Sequence, residues 1–330
     1  MLAEWSAWLR TIIPGFSVYC VKSQKSSNAL LVALLLSCSM SAFAAERATT
    51  VRVASVYLTP DNTSAKLAYL DRGREVIILE TSRDWLHVEA NLTEERTVTG
   101  WMLEKGVVRP STPNGDKILF GEAVDSEDQA SQRHGRRGAA QDALYLYYRV
   151  AEEFPNSPLA GEGMYRSADI RWQIEKADVM SRPSAKEQDA YLRVGMNEEF
   201  MKEVMKKFSG TKWADLAAFH LIDNKLCGDW QGASKCPEKE ADIYEKYARE
   251  RPQSPSTPEA LYDAAWRRSA LIEIYKQEDQ VKKSEESKAK AMALAQSVAT
   301  QYPQTDWGAR AHRLLYLMQH GIPTYGNAQE

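Results

Sequence analysis

Two hydrophobic periods divide the chain. From about Thr49 to Arg109, apolar and polar positions alternate. Val51, Val53, Ser55 and Tyr57 occupy alternate positions, and further short candidate strands follow at Glu75–Glu80, Trp85–Glu89 and Val98–Met102. Period two marks strands with one buried face, and turn residues such as Thr59-Pro60-Asp61-Asn62, Arg72-Gly73-Arg74 and Ser82-Arg83-Asp84 separate them. Strands this short and closely spaced predict a small all-β barrel over residues 46–110. Beyond residue 138 the spacing becomes three and four. Leu144, Tyr147, Ala151 and Phe154 share one stripe, and Tyr165, Ala168 and Trp172 share another. Phe200, Val204 and Phe208, then Trp213, Ala217 and Leu221, continue the pattern. Tyr244, Tyr247 and Ala248 pair with Leu261, Ala264 and Ala265, and Ala291, Leu294, Val298 and Tyr302 with Ala311, Leu315 and Met318. Such stripes predict amphipathic helices.

A recurring junction sets how those helices connect. Phe154-Pro155-Asn156-Ser157, Phe208-Ser209-Gly210-Thr211, Arg251-Pro252-Gln253-Ser254 and Tyr302-Pro303-Gln304-Thr305 each lie between two stripes. Proline or Ser-Gly stops the first helix, and the Ser or Thr that follows can cap the second. In the third copy, Thr257-Pro258-Glu259 moves the cap later, with proline in the first turn. Four junctions predict an all-α solenoid of about four helical hairpins over residues 138–323, followed by a tail at 324–330. Residues 111–137, rich in Pro, Gly, Asp, Glu and Gln, are expected to be a linker. The basic cluster Arg133, His134, Arg136 and Arg137 within it is expected to be a solvated hinge.

The order of Val51–Leu58, a loop with Pro and Ser, Arg72-Gly73, the strand 75–80, Trp85-x-x-Val88 and Gly100-Trp101 resembles a bacterial SH3-type (SH3b) domain. In that family the glycine opens a diverging turn, and the W-x-x-V and G-W elements close the barrel. The first loop departs from the family: Tyr57-Leu58-Thr59-Pro60-Asp61 stands where Asn-Val-Arg-Ser-Gly-Pro is usual. The resemblance implies binding of cell-wall peptide or glycan, or packing within the same protein. Tyr57, Tyr69, Trp85 and Trp101 are the candidate ligand-binding residues here. The tyrosines are the better candidates for an exposed groove, and the preferred place for the two tryptophans is the barrel core.

The junctions, in turn, resemble the Tyr-Pro-x-Ser turns of tetratricopeptide-like periplasmic envelope proteins. The nearest in kind are the lipoprotein subunit of the outer-membrane β-barrel assembly machine and the Tol-Pal-associated periplasmic coordinator. Junctions at 154, 208, 251 and 302 are farther apart than the roughly 34 residues of that repeat, so helices or loops are extended, notably at 180–190 and 277–286. The resemblance implies a surface that grips a protein segment. Trp172 and Trp266 are the candidate anchors, with Trp213 and Trp307 beside them, and each could equally serve hairpin packing.

The N-terminus indicates the compartment. Lys22 and Lys25 precede the apolar run Ala29–Leu36, and small residues end in Ala42-Phe43-Ala44. Basic, apolar, then A-x-A reads as a secretory signal within residues 1–45. Cleavage after Ala44 would release a soluble chain. Alternatively, Leu35-Leu36-Ser37-Cys38 resembles a lipobox, which would lipidate Cys38 and make a lipid anchor the only link to a membrane. Val21 could then be the true start. Export to the periplasm, or to the periplasmic face of the outer membrane, is the expectation.

The chain has 330 residues, is 44% hydrophobic and 26% charged, and carries a formal charge of −3. That balance is globular and mildly acidic, which argues against nucleic acid as a partner. In an oxidising compartment Cys227 and Cys236 would form a disulfide that stabilises by about 2–4 kcal/mol. Only His220 lies near them in sequence, too few ligands for structural zinc, and no metal or cofactor is expected. His87, His134, His220, His312 and His320 fall in no H-E-x-x-H or nucleophile motif, and the chain has no Walker loop or G-x-G-x-x-G. His220 and His312 are expected to be packing residues inside the array. Glu152-Glu153, Glu198-Glu199 and Glu285-Glu286 fit solvated helix surface. The expected function is therefore non-catalytic: an envelope scaffold that binds a partner segment through its helices. The alternative is a peptidoglycan-binding SH3-like module with the helices as spacer or oligomerisation element.

Overall fold

A computed structural model describes residues 46–93, 95–181, 196–227 and 230–326. The expected signal segment, Cys38 and most of 180–190 lie outside these residues. Seven strands come first: β1 Glu46–Thr50, β2 Ala54–Tyr57, β3 Lys66–Leu70, β4 Glu75–Ser82, β5 Trp85–Thr93, β6 Arg96–Leu103 and β7 Val107–Val108. They form one antiparallel sheet in the order β3-β2-β6-β5-β4-β1-β7, curled into a half-barrel with β3 and β7 at its edges. Of the strand expected over 51–58 only Ala54–Tyr57 forms, and residues 51–53 are the bend that joins it to β1. Val51 N–H bonds to Gly106 O at 2.8 Å, and the chain then leaves β4 and β7 to pair with β3 and β6.

Alternation decides the core. Leu86, Val88 and Ala90 of β5 face inward with Ala48, Val56, Leu70, Val76, Ile78 and Met102. Trp85, His87 and Glu89 therefore face outward, and so does Trp101 beside Met102. The preference for Trp85 and Trp101 as barrel core is overturned: both are half-buried on the outer surface.

Nine α-helices follow among the described residues: α1 Gly115–Ser131, α2 Ala139–Glu153, α3 Ala160–Ser181, α4 Glu199–Lys207, α5 Lys212–His220, α6 Lys235–Glu250, α7 Thr257–Gln277, α8 Val281–Gln301 and α9 Asp306–Gln319. Helices α2 with α3, α4 with α5, α6 with α7, and α8 with α9 pack as neighbours across the four junctions. Long α7 also packs against α8 and α9. The capping expectation holds in full at the last junction, where Thr305 Oγ1 accepts from Gly308 N–H at 3.1 Å. At the second, Thr211 instead donates its hydroxyl to Phe208 O at 2.7 Å and closes the preceding helix. Ser157 donates to Asp116 of α1 at 2.6 Å.

That bond points to the main correction, because much of the expected linker 111–137 is helix α1. Leu119, Ala123 and Ser126 at spacings of four and three are buried, and α1 lies along α2. Its fully buried positions are few, Gly115, Leu119, Ala123 and Ser126, so the composition of a linker concealed it. At the end of the segment, Arg136 pairs with Asp142 of α2 at 2.6 Å.

Helices α1 and α2 also hold the sheet. Val51 and Val108 join one core with Leu119, Ala123, Ala143 and Leu146. Glu122 of α1 receives Arg52 at 2.9 Å and Arg72 at 3.4 Å, and Arg149 of α2 reaches Glu75 at 3.3 Å. Glu153, expected on a solvated surface, instead accepts a hydrogen bond from the buried Thr49 hydroxyl. Burial pushes its carboxyl up to about 7, although the Thr49 bond and Arg149 pull it down; Glu152 and Glu75 add repulsion. The folded protein therefore holds a proton that the unfolded chain releases near pH 4.5, and stability falls as pH rises from there to about 7. Glu153→Gln is expected to abolish that fall, gaining on the order of 2 kcal/mol relative to the native protein between pH 5 and 7.5. Urea unfolding of both proteins across that range checks it, and parallel curves would refute it.

Candidate functional site

The outer face of the half-barrel carries a continuous aromatic strip. Tyr57 of β2 lies opposite Trp101 of β6, which lies opposite His87 of β5. The approach of β2 to β6 depends on Gly100, where a Cβ would meet Tyr57 O at 2.6 Å and Val56 Cγ1 at 2.7 Å. His87 stacks on Trp101 with centroids 4.9 Å apart and planes at 24°. Tyr57 meets Trp85 edge-on at 5.7 Å. Trp85 is opposite Leu103, which is also exposed.

The strip continues toward the edge strand. Lys66 Nζ sits 4.6 Å from the Tyr69 ring centroid and 5.7 Å from that of Tyr57, and donates to Tyr69 Oη at 3.0 Å. Tyr69 itself is 62% exposed, an unusual position for a ring of this size. All four aromatic residues proposed from the sequence of this domain are thus brought onto one surface. Lys66 and His87 complete it. His87 was recoverable from alternation, being two places from Trp85, whereas Lys66 joins only through the irregular pairing between Val56 and Tyr57.

The helical candidates fare differently. Trp172 is 3% exposed, packed with Met164, Met201, Val204 and Leu221 between α3, α4 and α5. It is core, and the expectation that it anchors a ligand is corrected. Trp266 is half-buried and serves packing, with Trp230 at 5.1 Å and the Arg267 guanidinium at 5.6 Å. Trp213 packs on Tyr165, and Trp307 on Tyr262. These rings join hairpins to one another.

Cys227 and Cys236 lie at disulfide distance, with Cα atoms 6.0 Å apart. The loop between them is anchored from within. Trp230 is buried against Ala270 and Ile274, and Ser234 N–H and hydroxyl both donate to Glu278, at 3.0 and 2.8 Å. Cys227 N–H donates to Glu240 Oε1, and Arg267 Nε to Glu240 Oε2, each at 2.8 Å. The C-terminal segment packs on the same place, through Tyr325 against Trp230 and Thr324 against Ser269.

No nucleophile–base pair emerges from the histidines. His220 bonds Asp169 at 3.0 Å between α5 and α3, as a packing residue, but His312 is exposed on α9 and corrects its expected burial. On α7, burial raises the carboxyls of Asp263 and Glu259, and Arg267 opposes the shift at Asp263 from 3.7 Å. Among the described residues no cluster of three or more His, Cys, Asp or Glu has metal-site geometry, and no helix is long and apolar enough to cross a membrane.

No family model matches the chain, and no curated protein matches it significantly. Among solved structures, a chain described as "DHF58 filament" aligns at 15% identity over 62% of this chain and 91% of its own, with a TM-score of 0.22. A score that low supports no argument about fold or function.

Proposed function

We propose that this is an exported, non-catalytic binding protein of the cell envelope that grips an extended protein segment. The recognition element is the aromatic face of the SH3-like domain, and the tetratricopeptide-like helices form the platform it is fixed to. The observation that carries the reading is the surface strip Tyr69–Lys66–Tyr57–Trp101, exposed at Tyr69 and Lys66 and half-buried at Tyr57 and Trp101, set against the burial of Trp172. Large amphipathic rings on a rigid sheet bind at low entropic cost and are enriched where partners dock. Edge strand β3 lies beside the strip with one side unpaired, which suits an extended chain. The Cys227–Cys236 pair suits an oxidising compartment, in keeping with the leader-like N-terminus.

A photo-crosslinking residue placed at Tyr69, and as a control at exposed Tyr316 of α9, tests this in whole cells. Discrete protein adducts from position 69 alone are expected. The double change Tyr57→Ala and Trp101→Ala should weaken capture at least tenfold, as for a central aromatic pair. Adducts from position 316 but not 69 would return recognition to the helical array. Adducts to cell-wall fragments, with purified sacculi retained by the native protein and lost in the double variant, would make peptidoglycan the ligand.

A further inference from the structure

At the end of the aromatic strip the half-barrel opens into a cleft of about 290 Å³ between β3, the turn after it, and the β5–β6 hairpin. Leu67 and Leu92 are half-buried in its wall, Tyr69 stands at its rim, and Arg74, Arg96 and Asp71 bring charge to it. The two arginines stand out by what they lack. In the sheet, Arg47, Arg52, Arg72 and Arg109 each pair with a carboxylate. Arg74 and Arg96 have no described carboxylate within 4.0 Å, and Asp71 in the same cleft is not an exception. Arg74 is not idle surface. Its backbone is clamped to Thr50 on both sides, and its guanidinium lies 5.4 Å from the Tyr145 ring of α2.

We infer that this cleft is a carboxylate site that takes the C-terminal carboxylate of an extended peptide. Guanidinium is planar, always charged, and matched to carboxylate by two parallel N–H···O bonds. Arg74 and Arg96 both line a space that holds about one terminal residue, whose side chain would lie against Leu67 and Leu92. Asp71 gives the site its polarity: it can accept the N–H of the terminal residue, and its charge disfavours a dianion such as phosphate. Edge strand β3 provides main-chain groups along which the preceding residues can run. The inference rests on the binding reading above and names the part of the ligand that the aromatic face leaves unassigned.

Nε–Hε resonances of the arginines in the full chain report on it directly, with N-acetyl-alanyl-alanine as probe. A saturable shift of the Arg74 and Arg96 signals is expected. Binding should be at least tenfold weaker for the C-terminal amide of the same probe and for Arg74→Gln. Arg96→Gln should lose as much, and since Arg96 is an exposed hairpin residue its variant folds even if the Arg74 variant does not. Absence of a saturable shift, equal binding of the acid and the amide, or tighter binding of inorganic phosphate than of the acid would each overturn the assignment. Trp101→Ala separates the two readings. It should weaken segment capture while leaving the probe titration intact. Undiminished capture by Trp101→Ala alongside an intact titration would count against the aromatic face alone, and native-strength capture by a native protein that shows no saturable probe shift would count against the cleft alone.

Discussion

Replacing Arg267 by methionine is expected to destabilise the protein by about 3–5 kcal/mol in urea unfolding. Glu240 is 2% exposed, and its carboxylate has two partners: Arg267 Nε and Cys227 N–H, each at 2.8 Å. Methionine fills much of the arginine's volume but leaves the buried charge with one neutral donor, and stranding a charge costs more than the pair itself contributes. The loss also strips Asp263 of its cation and removes a guanidinium 4.5 Å from the Tyr244 ring. Adding Glu240→Leu should recover at least half of the loss, because an apolar pair replaces an ionic one, although Cys227 N–H then lacks its acceptor. A single variant within 1 kcal/mol of native would show that the ion pair does not hold the disulfide loop to α6 and α7.

Gly73→Val is expected to cost about 3–5 kcal/mol and to loosen the sheet from the helices. Gly73 has φ +73°, a region that costs a side-chain-bearing residue about 1–2 kcal/mol, more when β-branched. The added Cβ would lie 2.6 Å from Tyr145 Cβ and 3.0 Å from Leu146 N, against the backbone of α2. Overpacking of that kind costs a further 1–3 kcal/mol, and here it can be relieved only by moving the two layers apart. Limited proteolysis should then open the chain between β6 and α1, and thermal unfolding should show an early step absent from the native protein. Loss of stability without new cleavage would mean that the turn rearranges locally and the interface survives.

Much of the architecture was legible from periodicity. The strand segments read at 75–80, 85–89 and 98–102 fall within β4, β5 and β6, and each predicted helical stripe lies on an observed helix. Helix α1 escaped because its fully buried positions are Gly115, Leu119, Ala123 and Ser126, of which only Leu119 is large and apolar. The orientation of Trp85 could have been read correctly: it shares a face with His87 and Glu89, while Leu86, Val88 and Ala90 make the apolar one. Hydrophobicity of the single residue outweighed the company it keeps.

The sequence by itself determined the local choices: which segments are strand or helix, where each hairpin turns, and which cysteines come near each other. Those follow from side-chain period, proline and glycine, all acting within a few residues. Only the tertiary structure decided what becomes of the aromatic and charged side chains. Trp172 is buried while Tyr69 is exposed, Glu153 accepts the buried Thr49 hydroxyl, and Arg74 and Arg96 line one cleft although β4 and β5 lie between them in the chain. The reason is physical: a ring or a charge fits core, interface or ligand site equally well by type, and desolvation, which separates those fates, depends on neighbours remote in sequence.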